Sequence, residues 1–180
     1  MQKKLLPYLK RADELETREP LASFYCRLYV ADQLMKIRTS GVSDPELDTS
    51  LINAIDEAEK LKPSLGPNVA TQGPVAFELF CREVFDAAIE GEASSDNQAA
   101  ASKYYFASLF IEVLTQFGPL THEFEEMRTF ARNRVLILRK GTGSVKWEQV
   151  RSLLIEASAA VDAESVTKLK QVLGRIQELI

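Results

Sequence analysis

The reactive side chains of this chain do not assemble into a reacting set. Its one histidine, His122, stands beside Glu123 in what reads as the first turn of a helix. A general base needs positioned partners, and a helical zinc site of the His-Glu-x-x-His kind needs a second histidine one turn on. His122 therefore reads as a solvated helix-start residue. Cys26 and Cys81 are far apart, each inside an apolar helical pattern, and read as reduced structural thiols with neither disulfide nor zinc. Gly141-Thr-Gly-Ser144 follows a helix and lacks the Lys-Ser/Thr ending of a phosphate loop, so it reads as a joint. With a single histidine, no serine or cysteine nucleophile can be given its base and acid. The expectation is a binding protein, not an enzyme, with no cofactor and no metal.

Composition narrows the partners. Over 180 residues, 46% are hydrophobic, enough for a sizeable core without disulfide staples. The 22 basic and 26 acidic residues are interspersed and leave a net charge of −4, so the phosphate-contacting basic stripe of a nucleic-acid binder is not expected. Met1-Gln-Lys-Lys-Leu-Leu-Pro7 does not read as a secretory signal, and the most apolar window, Tyr104 to Phe117, is shorter than the ~20 residues that span a bilayer. The expected location is the cytoplasm, with no direct membrane insertion.

Helix punctuation sets the elements. Lys3 to Glu16 reads as a first helix, and Pro20 opens a second that ends near Ser40-Gly41. Asp44-Pro45 is an N-cap followed by proline, from which Leu47, Leu51, Ile55, Ala58 and Leu61 repeat at helical spacing up to Lys62-Pro63. Gly66, Pro67 and Gly73 make residues 63–73 a connector with at most one short turn near Asn68 to Gln72. Val75 to Glu90, then Gln98 to Phe117, then a helix capped by Thr121 form a second group of three, the middle one expected to be central because Glu112 is its only charge after Lys103. Beyond the Gly141–Ser144 joint, Val145 to Val161 and Ala163 to Ile180 read as a helical hairpin. Its apolar stripe must dock on the body or pair with a second copy. Strand patterns are not expected anywhere, so the fold class is all-α.

The second helix carries the strongest signal. Leu21, Phe24, Tyr25, Leu28, Ala31 and Met35 make one apolar stripe, and Cys26, Tyr29, Val30, Leu34 and Ile37 make another about half a turn away. Either both are buried in one multi-helix body or one faces a partner.

Two segments add a resemblance. Glu19-Pro-Leu-Ala-Ser-Phe-Tyr-Cys-Arg-Leu-Tyr-Val30 resembles a signature of the Vta, or LYST-interacting-protein-five, family. Tyr105-Phe-Ala-Ser-Leu-Phe-Ile-Glu-Val-Leu-Thr-Gln-Phe-Gly-Pro-Leu-Thr121 and Arg128-Thr-Phe-Ala-Arg132 resemble two later blocks of the same family, in the same order. The resemblance implies an endosomal adaptor of multivesicular-body sorting. It implies two MIT (microtubule-interacting and trafficking) three-helix modules, at residues 1–62 and 74–140, that bind C-terminal tails of ESCRT-III subunits. It also implies a C-terminal hairpin, residues 145–180, that dimerises and stimulates a Vps-four-type AAA ATPase. The family places a long low-complexity linker before that hairpin, where this chain has only Gly141 to Ser144.

On that footing the first tail groove is expected between the second and third helices, lined by Tyr29, Val30 and Leu34, with Asp48, Asp56 and Glu59 to pair with basic tail residues. The second is expected at Tyr105 and Arg132. In the hairpin, Leu169, Val172, Leu173 and Ile176 are candidates for a homodimer seam, and Lys168, Lys170 and Arg175 for the ATPase contact. The competing readings are a helical scaffold that binds tails without stimulating the ATPase, and a helical enzyme or small-ligand carrier.

Overall fold

Prolines and short acidic caps decide where the helices begin. The computed structural model describes residues 2–41, 44–93 and 96–139; the expected joint and C-terminal hairpin lie outside the described residues. Pro7 sits in the first turn of α1 (Leu6–Leu15), Pro20 opens α2 (Pro20–Thr39) and Pro45 opens α3 (Pro45–Leu61), positions where a missing N–H costs nothing. The Asp44 carboxylate accepts from the Glu46 N–H at 2.9 Å to cap α3. After α4 (Val69–Glu90), Asp96 caps α5 (Asn97–Val113) by accepting from the Ala99 N–H at 2.7 Å, and Thr121 precedes α6 (His122–Arg139). Short 3-10 turns occupy Gln2–Lys4, Lys62–Leu65 and Leu114–Phe117. The described residues contain no strand, and the chain is all-α.

The connector departs from its expected form. Instead of a single short turn, helix begins at Val69 and runs through Gly73-Pro74 into α4. Pro74 falls in the second turn, where its ring displaces one intrahelical bond, an unfavourable position for proline. The carbonyl that Pro74 leaves without its donor is that of Ala70; one residue earlier, Tyr25 of α2 donates its hydroxyl to the Val69 carbonyl at 3.1 Å and ties this first turn to α2. Gly73 is buried beneath the same ring, and any Cβ there would collide with the Tyr25 hydroxyl. This glycine permits close approach of two helices; it does not break one.

Two cores result. The larger runs from Ala12 through Tyr25, Cys26, Phe77, Cys81, Tyr104, Phe110 and Phe124 to Leu138, so α1, α2, α4, α5 and α6 share one interior. The smaller joins Val30, Ala31 and Leu34 of α2 to Leu47, Leu51 and Ala54 of α3. Both apolar stripes of α2 are thus largely buried in the body of the chain. Helix α5 is central as expected, with Ala101, Ala107, Ile111 and Val113 fully enclosed. Cys26 and Cys81 are buried free thiols, and burial pushes Cys26 up to about 12, which removes it from thiolate chemistry at neutral pH.

Two buried arginines tie the helices together. Arg134 of α6 donates through Nε to both oxygens of Glu92, at 3.0 and 2.9 Å, while the Tyr104 hydroxyl donates to the same carboxylate at 2.7 Å. Burial pushes the Glu92 carboxyl up, but these hydrogen bonds outweigh it and hold the group below the ordinary carboxylate range. Arg27 of α2 reaches Asp13 at 3.0 Å and Glu16 at 2.7 Å, fastening α1.

Candidate functional site

On α3, residues at 48, 52, 55 and 59 recur every three or four positions and share one side of the helix. They are Asp48, Ile52, Ile55 and Glu59. Arg38 of α2 meets Asp48 at 3.2 Å, so this side of α3 flanks the Leu47, Leu51 and Ala54 face that packs on α2. Met35, one turn before Arg38, stands on the same border of α2 and is 41% exposed. Ile52 and Ile55 are 57% and 39% exposed. The result is an open apolar strip between two helices, edged by Asp48 and Glu59, with Asp56 next to it on the solvent side of α3. Glu59 is engaged by Lys62 at 3.0 Å and Asp48 by Arg38, both exposed pairs that a better-placed cation can displace at small cost.

The expected lining of this strip needs correction. Tyr29, Val30 and Leu34 are buried, not open to a partner: Val30 and Leu34 pack on Leu47, Leu51 and Ala54, and Tyr29 packs its ring on Tyr8 at 4.9 Å. The physical reason is that α2 turns this stripe toward the apolar stripe of its own neighbour α3. Met35 belongs to the other α2 stripe, and Ile55 was expected in the core repeat that Ala54 occupies instead. Ile52 was not anticipated; its signal was an apolar residue set between Asp48 and Asp56 at i+4 intervals, off the core stripe.

Tyr105 and Arg132 lie on the seam between α5 and α6 but two turns apart. The Tyr105 ring is beside Phe106 and lies 5.5 Å from the Arg139 guanidinium. Arg132 donates to Glu112 at 2.6 Å, and Arg128 donates to the same oxygen at 2.9 Å. Since 105 to 112 and 132 to 139 are both steps of seven, the two groups follow one line along the seam. Helix α1 joins this line: Arg11 stacks on Phe106 at 4.0 Å, and the Tyr8 and Tyr29 hydroxyls feel Glu112. Burial first pushes both phenols up; next comes Tyr29 and then Glu112 at Tyr8, and Glu112 at Tyr29, so both phenols are neutral throughout the physiological range. The candidates Lys168, Leu169, Lys170, Val172, Leu173, Arg175 and Ile176 lie outside the described residues.

His122 is exposed and its Nε2 is 3.6 Å from Glu126; the described residues contain no cluster of three or more metal-ligating side chains. None of the described helices is long and apolar enough to cross a membrane.

Comparison with known proteins follows the same line. A family model described as Vta1 like matches residues 4–143. The chain is 36% identical over 137 residues to the protein named homolog of mammalian LYST-interacting protein 5 of Arabidopsis thaliana, covering 76% of this chain and 32% of that protein. It is 36% identical over 135 residues to the vacuolar protein sorting-associated protein VTA1 homolog of Bos taurus, and 27% identical over 132 residues to that of Dictyostelium discoideum. These cover 72% of this chain in each case, and 43% and 24% of the relatives. The chain thus spans less than half the length of these curated relatives.

Proposed function

This chain belongs to the Vta1-like family, and from that premise we propose that it is an adaptor in vacuolar protein sorting that captures helical C-terminal tails of ESCRT-III subunits. The observation that carries the reading is the α2–α3 strip. Met35, Ile52 and Ile55 offer apolar contact one turn apart on facing helices, and Asp48, Asp56 and Glu59 edge it with negative charge. An amphipathic helix with apolar anchors at i, i+3 or i+4 and basic residues at its flanks fits that combination. The anchors supply affinity, and the acids set register and speed encounter.

The two groups of three helices are read as MIT-type modules, the second contributing the Tyr105–Arg132 seam. The C-terminal hairpin is read as the element that pairs two copies through Leu169, Val172, Leu173 and Ile176. It meets a Vps-four-type AAA ATPase with Lys168, Lys170 and Arg175. In this reading the protein works at endosomes as a peripheral factor and performs no chemistry of its own.

Fluorescence anisotropy of labelled ESCRT-III tail peptides titrated with the whole chain tests the reading. Saturable binding in the micromolar range supports it, and failure of every tail to bind refutes it. Stimulation of the ATPase, measured with the same protein, separates a co-activator from a scaffold that only holds tails.

A further inference from the structure

We infer that the outer face of α4, together with the notch it shares with the start of α6, docks a basic peptide segment that carries aliphatic anchors. The notch forms where the chain leaves α5. Gly118, at a φ of 141°, turns the backbone away after the 3-10 turn, and no described atom beyond its chain neighbours lies within 4 Å of where a Cβ would sit. Leu114, Phe117, Leu120 and Phe124 line the resulting gap together with Glu78 of α4, leaving about 90 Å³, room for an aliphatic side chain. The Phe117 ring packs edge-on against Tyr25 at 4.8 Å, which fixes that wall, yet the residue stays 41% exposed.

Two contacts show which side of α4 borders the notch. Glu78 lines it, and Arg82, one turn on, lies over the Phe124 ring at 4.6 Å and donates to Glu123 at 2.9 Å. Val75 and Leu79 stand beside these positions, one turn before Glu78 and one residue after it, and are 60% and 56% exposed. Following the line of Leu79 to i+4 and i+7 brings Glu83 and Asp86, both exposed. The face thus begins apolar at the notch and ends acidic about 10 Å further along the helix.

The charge of this face is uncompensated. Glu78, Glu83 and Asp86 take no ion pair among the described residues, and the single cation of α4, Arg82, is held by Glu123. In the α2–α3 strip, by contrast, Asp48 and Glu59 are already paired with Arg38 and Lys62. An apolar patch beside three free carboxylates favours a partner that brings cations to them. Anionic headgroups and nucleic acid would be repelled, and a two-fold contact with a second copy would set these acids against themselves. A segment with a leucine-sized anchor for the notch and lysine or arginine two turns away answers both halves of the face.

The test uses the whole chain carrying I52Q/I55Q, so that the α2–α3 strip does not contribute. A labelled amphipathic Leu/Lys peptide is expected to bind it saturably in fluorescence anisotropy, whereas Ser/Lys and Leu/Glu peptides of equal length are not. V75Q/L79Q is expected to weaken binding about tenfold or more with thermal unfolding unchanged, since both residues are exposed. E78Q/E83Q leaves the apolar face intact and is expected to weaken binding severalfold and flatten its salt dependence. Unchanged affinity in either variant, or equal binding of the Ser/Lys peptide, overturns the inference. So does self-association in light scattering that V75Q/L79Q abolishes, which would give the face to a second copy. A carboxylate-to-lysine crosslink from Glu78 or Glu83 to residues 140–180 of the same chain overturns it too. With Ile52 and Ile55 restored, ESCRT-III tail binding is expected to survive V75Q/L79Q, which separates this face from tail capture.

Discussion

Replacing Ile52 and Ile55 together by glutamine isolates the α2–α3 strip from the core beneath it. Between them the two side chains leave about one isoleucine's worth of surface open. Burying one isoleucine stabilises by about 1.5–3 kcal/mol, so losing it from the bound state weakens tail binding by about 10- to 150-fold. Glutamine is at least as good a helix former as isoleucine, so the fold is expected to keep its stability within about 0.5 kcal/mol. The informative contrast is Leu34→Ala, which removes a side chain buried against Leu47 and Leu51. It is expected to cost about 2–5 kcal/mol of stability while leaving the affinity of the folded protein nearly unchanged. Anisotropy titration of an ESCRT-III tail peptide and urea unfolding, run on all three proteins, give both quantities. A double glutamine variant that binds within twofold of the parent would refute the strip as the docking surface. Loss of binding in Leu34→Ala without loss of stability would show that the buried stripe opens to the tail after all.

Three further outcomes follow from the interior. Arg134→Met strands the Glu92 carboxylate, whose side chain is only 14% exposed, and is expected to cost about 3 kcal/mol in urea unfolding, with much of it recovered by adding Glu92→Gln. Because the folded Glu92 carboxyl titrates below its ordinary 4.5, its contribution is fully present above about pH 4.5 and is lost as pH falls through the folded value. Unfolding measured from neutral to acid pH is therefore expected to show a shallower acid limb in Glu92→Gln, and an unchanged limb would assign acid sensitivity to other groups. Gly73→Ala drives a methyl into the Tyr25 hydroxyl and is expected to cost about 1–3 kcal/mol; in a Tyr25→Phe background the cost shrinks, and equal cost in both would show that helix propensity, not this contact, is at work.

The sequence by itself determined the all-α class and the approximate places of the six described helices. Pro20 and Asp44-Pro45 mark helix starts through local chemistry that needs no partner, and described helices begin at Pro20 and Pro45. Even the doubled stripe of α2 was legible as a helix with two neighbours. What periodicity cannot carry is which neighbour each stripe meets. Val30 and Leu34 are as apolar as any groove-lining residues, and only the docking of α3 decides that they are interior while Met35, Ile52 and Ile55 stay open. Gly73-Pro74 read locally as a break, yet the segment is helical and packs closely under Tyr25, 48 residues before Gly73. The Glu92–Arg134–Tyr104 cluster joins a loop residue to two helices, and a charge buried by residues distant in sequence has no signature in the residues beside it. Local propensity fixes where helices start, whereas burial is a property of pairs of faces, and those pairs exist only once the chain has folded.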